Sequence, residues 1–469
     1  MRRKQNLPSV EGLEIFDIAD GGRGVARWNE MVVFVKDVVP GDIADVQLMK
    51  KKKSFAEARL LILVKESADR VTPFCEHFSV CGGCKWQHLD YEKQTFFKQK
   101  QVGENLMRIG KVEETALLPI LKAPENKYYR NKLEYTFSNK RWLTNEEMGL
   151  VSEQKDMCGL GFHIPGLFDK VVDINNCYLQ PAPSNDIRLW FKRYAQDNDL
   201  SYYNIRAHCG FLRNVIIRNT LFGEWMVIVV VAENEQVILE KMLDGFLLAF
   251  PQITSLFYVV NEKFNDTISD LDLICYHGRE FIYEEMEDLK FKIGPKSFFQ
   301  TNTKQAVNLY QITREFAQLT GSELVYDLYT GTGTIANFVA RQAKKVVGVE
   351  YIPEAIEDAK VNSEINGIEN TVFYAGDMAK VFTDEFVNTN GRPDVVITDP
   401  PRAGMHPDVV QQILKIAPKR VVYVSCNSAT QARDVEMMKE DYRVIKCQPV
   451  DMFPHTDHVE SVVLMERKL

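Results

Sequence analysis

No stretch of this 469-residue chain supplies the roughly 18 uninterrupted apolar residues that a membrane-spanning helix requires. The basic start, MRRKQNLPSVEG, is not followed by the apolar core of an export signal, so an unprocessed cytoplasmic protein with no membrane partner is expected. Repeats and low-complexity blocks are missing as well, which removes solenoids and compositional linkers from consideration. Net positive charge is absent: the balance is −8, and phosphate affinity is driven by cationic side chains, so indiscriminate nucleic-acid binding is excluded. Nine cysteines without an export signal do not form a disulfide framework; they read as thiols, ligands or catalysts.

The charge deficit is uneven. Residues 1–70 hold 13 Lys and Arg against 11 Asp and Glu, leaving 44 against 54 elsewhere, so any RNA contact must be local. The run Lys50 to Lys53 is the candidate patch, although such runs are usually only solvated loops.

With 45% hydrophobic residues the chain can bury more than one core. Residues 10–66 alternate in short runs (LEIFDIA, MVVFVKDV, ARLLILVKE) separated by turns such as DGGRG and VPGD, which predicts an OB-like β-barrel over 1–70. Residues 71–293 read as a central α+β domain, with a helix near 91–109 and FLRNVIIRNT and EWMVIVVVAE as an antiparallel pair. From 294 to 469 strands and helices alternate, the pattern of an α/β, Rossmann-like doubly wound sheet with ligands at the carboxyl ends of its strands.

In that last domain DLYTGTGT (327–334) places Gly331 and Gly333 between a strand and a helix, where backbone can approach a ligand closely. Glu350 ends the next strand, in position to accept from ribose hydroxyls. With Ala336 the run also satisfies GxGxxA, so the loop alone leaves NAD and S-adenosylmethionine open. Asp377 closes the third strand, either near an adenine amino group or as a helix N-cap. Asp399-Pro400-Pro401 closes the fourth, a placement found in methyltransferases and not expected of hydride transfer.

Uracil C5 is a poor nucleophile until something adds at C6, so methylating it requires a thiolate, a methyl donor and a base. Cys426 follows the strand VVYVS and precedes a helix whose dipole is expected to favour thiolate. Cys447, in VIKCQPV, reads as structural. Glu460, in HVESVVL, is the candidate base, desolvated by its apolar strand, with Asp457 and His458 as competitors.

Cys75, Cys81 and Cys84 lie close together in PFCEHFSVCGGCKWQH and imply a metal or iron-sulfur site lacking one ligand. From spacing alone, zinc completed by His77 or His88 stays open.

The stretches FFQTN, DLYTGTG, DPPRAG, SCN and HTDHVE, in this order, resemble the RNA uracil-5-methyltransferase family, tightly from about residue 294 onward and by architecture before it. The resemblance implies S-adenosylmethionine as methyl donor, Cys426 as nucleophile and Glu460 as proton acceptor. It places cofactor contacts on Gln300, Tyr329, Glu350 and Asp399, with Asp399 also within reach of the uracil. Many members have cysteine where this chain has Thr330, at a position that is not catalytic. The iron-sulfur branch of the family, typified by 23S ribosomal RNA enzymes, carries the same cysteine cluster and a fourth cysteine well downstream, matched by Cys177 better than by Cys158. A [4Fe-4S] cluster on Cys75, Cys81, Cys84 and Cys177 is therefore expected, with 23S ribosomal RNA ahead of transfer RNA as substrate. The same branch carries a TRAM domain, which DGGRGVAR resembles. A monomer is expected. The alternatives weighed are an amino-methyltransferase, disfavoured because Arg402 replaces the stacking aromatic after Asp-Pro-Pro, and a non-catalytic iron-sulfur RNA-binding protein.

Overall fold

The computed structural model describes residues 7–19, 21–149 and 156–468, apart from the side chains of 145 and 146. The basic residues at positions 2–4 and Asp20 of the glycine-arginine loop lie outside them. By internal contacts the chain divides into two compact units, residues 1–100 with 453–458, and 101–452 with 459–469.

The first unit holds a closed barrel of strands β1 (Ser9–Ala19), β2 (Arg23–Trp28), β3 (Met31–Val35), β4 (Ile43–Lys51) and β5 (Phe55–Lys65), ordered β1-β2-β3-β5-β4. Alternate positions point inward: Val10, Leu13, Ile15, Ala26, Val33, Val35, Ala44, Val46 and Ala56 form its core, as the period-2 pattern requires. Lys50 to Lys53 are exposed at the β4–β5 turn, with the Lys51 ammonium 5.3 Å from the Trp28 ring and Lys52 5.2 Å from Phe55.

In the second unit, β6 (Lys132–Ser138), β7 (Gly159–Ile164), β8 (Leu167–Asp173), β9 (Leu212–Asn219), β10 (Trp225–Val231), β11 (Ser255–Val260) and β12 (Ile274–Gly278) form one sheet, ordered β12-β11-β10-β9-β6-β7-β8. β9 and β10 are the expected antiparallel pair, and neither has an exposed residue. A hairpin, β13 (Ile282–Met286) and β14 (Leu289–Ile293), follows.

The catalytic sheet has the order β17-β16-β15-β18-β19-β21-β20, from β15 (Leu324–Leu328), β16 (Lys345–Glu350), β17 (Thr371–Ala375), β18 (Val395–Thr398), β19 (Arg420–Ser425), β20 (Tyr442–Val450) and β21 (Glu460–Arg467). The first five are parallel and the last two antiparallel. Val346, Val347, Val395, Val396, Val421 and Val422 are fully buried, as parallel strands covered on both faces demand. Among the described residues no helix is long and apolar enough to cross a membrane.

Candidate active site

Parallel pairing lines up the residues that follow each strand. Leu328 pairs with Thr398 and Thr398 with Tyr423, so Tyr329, Asp399 and Cys426 all leave the same carboxyl edge of the sheet, as does Glu350 at the end of β16. Glu460 is the first residue of its strand. It reaches that edge only because β21 runs antiparallel to β19. The sequence-predicted nucleophile, base and Asp-Pro-Pro aspartate therefore meet at one place.

Their charges interact. Burial, then the charge of Asp399, pushes the Glu460 carboxyl up to about 8, against the opposing Arg402 guanidinium. Asp399 retains partial solvent exposure, yet desolvation and the nearby Asp327 push it up to about 7. Asp327 is wholly buried and also raised to about 7, chiefly by desolvation, with the Thr330 hydroxyl donating to it at 2.5 Å. Thr330 thus serves this buried carboxyl rather than the chemistry.

Cys426 departs from expectation. Its thiol is pushed up to about 11 by burial and by Glu460 and Asp399, with Arg402 opposing. The dipole of the following helix does not reverse this, because the Asn427 side chain itself caps the helix and accepts from the N–H groups of Ala429 and Thr430. The thiol therefore holds its proton more tightly than an ordinary cysteine does. Cys447 is fully buried with its thiol pushed up by desolvation, as a structural cysteine should be.

Gln300 precedes helix α1 (Thr303–Ala317), whose N-cap is Asn302. From α1, Tyr310 faces Asp399, Glu460 and Asp327; burial and then these carboxyls push its phenol up, and it hydrogen-bonds the Gln300 side chain. Gln300 is thereby brought to the same carboxylates. Sequence reasoning misses Tyr310 and Asp327 because burial at helical spacing and mid-strand position mark both as core. Arg402, which the sequence marks only as the residue replacing an aromatic, acts on both Cys426 and Glu460; it is exposed, and its backbone carbonyl is held by Asn427 and the Thr430 hydroxyl, both at 3.1 Å.

The residues expected to hold the cofactor form a second group. Tyr329 has the left-handed φ of +65°, an uncommon state for a side chain of its size. Its phenol is raised by burial to about 12, despite the His406 backbone N–H, and senses Asp377 and Glu350. Glu350 accepts from the N–H groups of Gly331 and Ile352, both at 3.1 Å. Gly331 has φ +55° with nothing within 4 Å of an added Cβ, the open approach a nucleotide needs, whereas a Cβ on Gly333 would meet Ala359 at 2.8 Å. These residues fit S-adenosylmethionine. Asp377 takes the N-cap role, accepting from Ala379 N–H at 3.2 Å.

One of the competing bases is otherwise engaged. Asp457 pairs with Lys85 at 2.9 Å, and although burial disfavours its charge the Lys85 ammonium holds its carboxyl below the usual range. Asp457 and His458 both belong to the first unit.

The cysteine loop is also in the first unit. Phe78 N–H donates to Cys75 O at 3.1 Å, Cys81 N–H to His77 O at 2.9 Å, and Gly83 N–H to Cys81 Sγ at 3.4 Å, a wrap that turns backbone donors toward sulfur. That donor chemistry fits a soft metal. Against it, among the described residues no group of three or more His, Cys, Asp or Glu is gathered so as to hold a metal ion. Cys177 belongs to the second unit, where its N–H donates to Asn185 at 2.8 Å and its thiol lies beside the Tyr135 phenol. His88 is buried against Phe78 and held neutral, its proton affinity lowered to about 4 by desolvation.

A doubly wound sheet with glycine loop, acidic strand end and Asp-Pro-Pro edge is the arrangement of an S-adenosylmethionine-dependent methyltransferase, and the comparisons with known proteins make RNA its substrate class. Residues 272–468 match the tRNA (uracil-5-)-methyltransferase family and residues 9–61 the TRAM domain. An RNA methyltransferase of Bacteroides thetaiotaomicron is 57% identical over 96% of this chain and its own full length, and one of Porphyromonas gingivalis 55% identical over 97% and 99%. The structure of Pyrococcus abyssi tRNA (uracil-54, C5)-methyltransferase with S-adenosyl-L-homocysteine is similar at TM-score 0.75 and 30% identity, over 97% of this chain and 100% of that one. This chain belongs to the RNA uracil-5-methyltransferase family.

Proposed function

We propose that this enzyme methylates C5 of a uridine in 23S ribosomal RNA through a covalent adduct between Cys426 and C6. The observation that carries the chemistry is the meeting of Cys426, Glu460 and Asp399 at one sheet edge, where Glu460 and Asp399 both raise the proton affinity of Cys426 and Asp399 raises that of Glu460. S-adenosylmethionine supplies the methyl group. Cys426 passes its proton to a neighbouring base or water and adds to C6, which makes C5 nucleophilic. After methylation Glu460 removes the C5 proton, directly or through water, and the thiolate leaves. Asp399 holds the flipped uracil, and Gln300, Tyr329 and Glu350 hold the donor, with Asp377 at its adenine end. A raised carboxyl suits Glu460, since a base that releases its proton near neutral pH can return to its starting state.

The [4Fe-4S] cluster on Cys75, Cys81, Cys84 and Cys177 is part of the proposal and is supported by the spacing of the cysteines and the N–H donor to Cys81 sulfur. No catalytic step is assigned to it. The barrel, with its exposed lysines and rings, is assigned to RNA contact, and the chain to the cytoplasm as a monomer.

A second reading, transfer RNA as substrate, is favoured by the likeness to the Pyrococcus abyssi enzyme over nearly the whole chain. Mapping 5-methyluridine in both RNAs from cells lacking the protein separates the two. Loss of a ribosomal site with intact transfer RNA supports the first reading, and the reverse outcome overturns it.

A further inference from the structure

Gln300 sits on a segment with no regular structure of its own, between β14 and α1, so something else must fix which way it faces. The residues that do so come from other parts of the chain. Asn131, just ahead of β6, donates its backbone N–H to Thr301 O at 2.8 Å. Its side-chain Nδ2 donates to Gln300 O and to Thr303 Oγ1, both at 2.9 Å. A carbonyl can only accept, so this amide orientation is the one the network permits. Thr303, the first residue of α1, donates its own hydroxyl to Glu284 Oε2 at 2.7 Å. Glu284, fully buried on β13, accepts in addition from Leu221 N–H at 3.0 Å and from Glu285 N–H at 3.2 Å.

The donors all point one way: Asn131 to Thr303, Thr303 to Glu284. Such a chain polarises cooperatively, and the carboxyl group at its end lies beside the positive end of α1. A buried carboxyl in an elsewhere apolar hairpin core is costly unless it serves several donors, and here it serves three. Arg218 steadies the preceding turn, donating to Gly294 O at 2.9 Å and Ser297 O at 2.6 Å.

We infer that Asn131, Thr303 and Glu284 form a positioning relay that orients Gln300 toward the methyl donor. This rests on the assignment of Gln300 as a cofactor contact. The relay touches no substrate; its members act through Gln300 and set how tightly the donor is held. A merely structural stitch between hairpin and helix would affect melting and leave donor affinity alone.

The test uses the full-length protein and S-adenosyl-L-homocysteine as probe in calorimetry, with melting followed in parallel. Thr303→Val removes the hydroxyl at constant shape, and Thr303→Ser restores it. Asn131→Ala and Thr303→Val should each weaken binding roughly five- to twentyfold, the scale of losing one well-placed hydrogen bond, while Thr303→Ser stays within about twofold. The KM for S-adenosylmethionine should rise with kcat at saturating donor nearly unchanged. Combined with Gln300→Ala, neither substitution should weaken binding further, since residues acting through one group are not additive. Wild-type binding by Thr303→Val, or losses that add to those of Gln300→Ala, overturns the relay alone. A wild-type protein that takes up no S-adenosyl-L-homocysteine overturns the cofactor assignment and the relay with it. Should Asn131→Ala fail to fold, the valine-serine pair at 303 still decides.

Discussion

Cys426 and Glu460 face each other across two antiparallel strands: Ser425 of β19 pairs with Ser461 of β21, so the residues one step beyond that end of the ladder are the proposed nucleophile and the proposed base. Neighbours in such a ladder stand within a side chain's reach, which makes the pair a consequence of register.

The pair should fail in two different ways when broken. Cys426→Ala should form no adduct and transfer no methyl group. Glu460→Gln should methylate once and remain bound to its RNA, with turnover reduced by about 10²–10⁴-fold. A denaturing gel run with labelled methyl donor reads both, and methylation by Cys426→Ala would remove that residue from its role.

Glu460 also predicts how stability varies with pH. Its carboxyl is raised from 4.5 to about 8 on folding, so the folded state holds the proton more tightly. The stability this provides is complete below the unfolded value and is lost as pH climbs towards 8. Glu460→Gln, permanently neutral, should therefore melt a few degrees higher than wild type at pH 8.5, roughly the shift expected for one or two kcal/mol, with little gain at pH 4. An equal gain at both would show that ionisation is not the cause.

Arg402 opposes the upward shifts of both Cys426 and Glu460. Its removal should raise both, so the rate of Arg402→Met should fall, by about 10–100-fold near neutral pH, and its climb with pH should move to higher values. Arg402→Lys should recover part of the loss. Superposable profiles for wild type and Arg402→Met would exclude an electrostatic role.

Prepared without oxygen, the protein should be brown and carry about four irons and as many acid-labile sulfides per chain. Serine at any of Cys75, Cys81, Cys84 or Cys177 should bleach it. One zinc and no sulfide would instead return the site to a zinc reading, with a fourth ligand still to be found.

Alanine at Lys51, Lys52 and Lys53 together should weaken RNA binding and flatten its dependence on salt, by roughly 0.7 in the logarithmic slope for each phosphate no longer neutralised. Affinity for S-adenosylmethionine should not change. An unaltered slope would place the RNA on another face of the barrel.

Periodicity was enough for the elements. Alternation over residues 10–66 specifies strands whose inward positions, such as Val33 and Val35, can only be buried by closing the sheet, and runs such as KVVGVE specify strands covered on both faces. Motif order, through the family resemblance it carries, singled out Cys426, Asp399, Gln300 and Glu460, and three of the four stand at a strand end.

What the sequence could not determine was the state of those groups. The dipole argument predicts a thiolate at Cys426, and tertiary burial with Glu460 and Asp399 beside it reverses the sign. The influence of Arg402, Tyr310 and Asp327 on the site, and of Asn131 and Glu284 on Gln300, arises from interactions between residues far apart along the chain. Local pattern fixes which way a side chain points from its own element. The charge it carries depends on what other elements bring against it and on how much water they exclude, and only the assembled fold decides both.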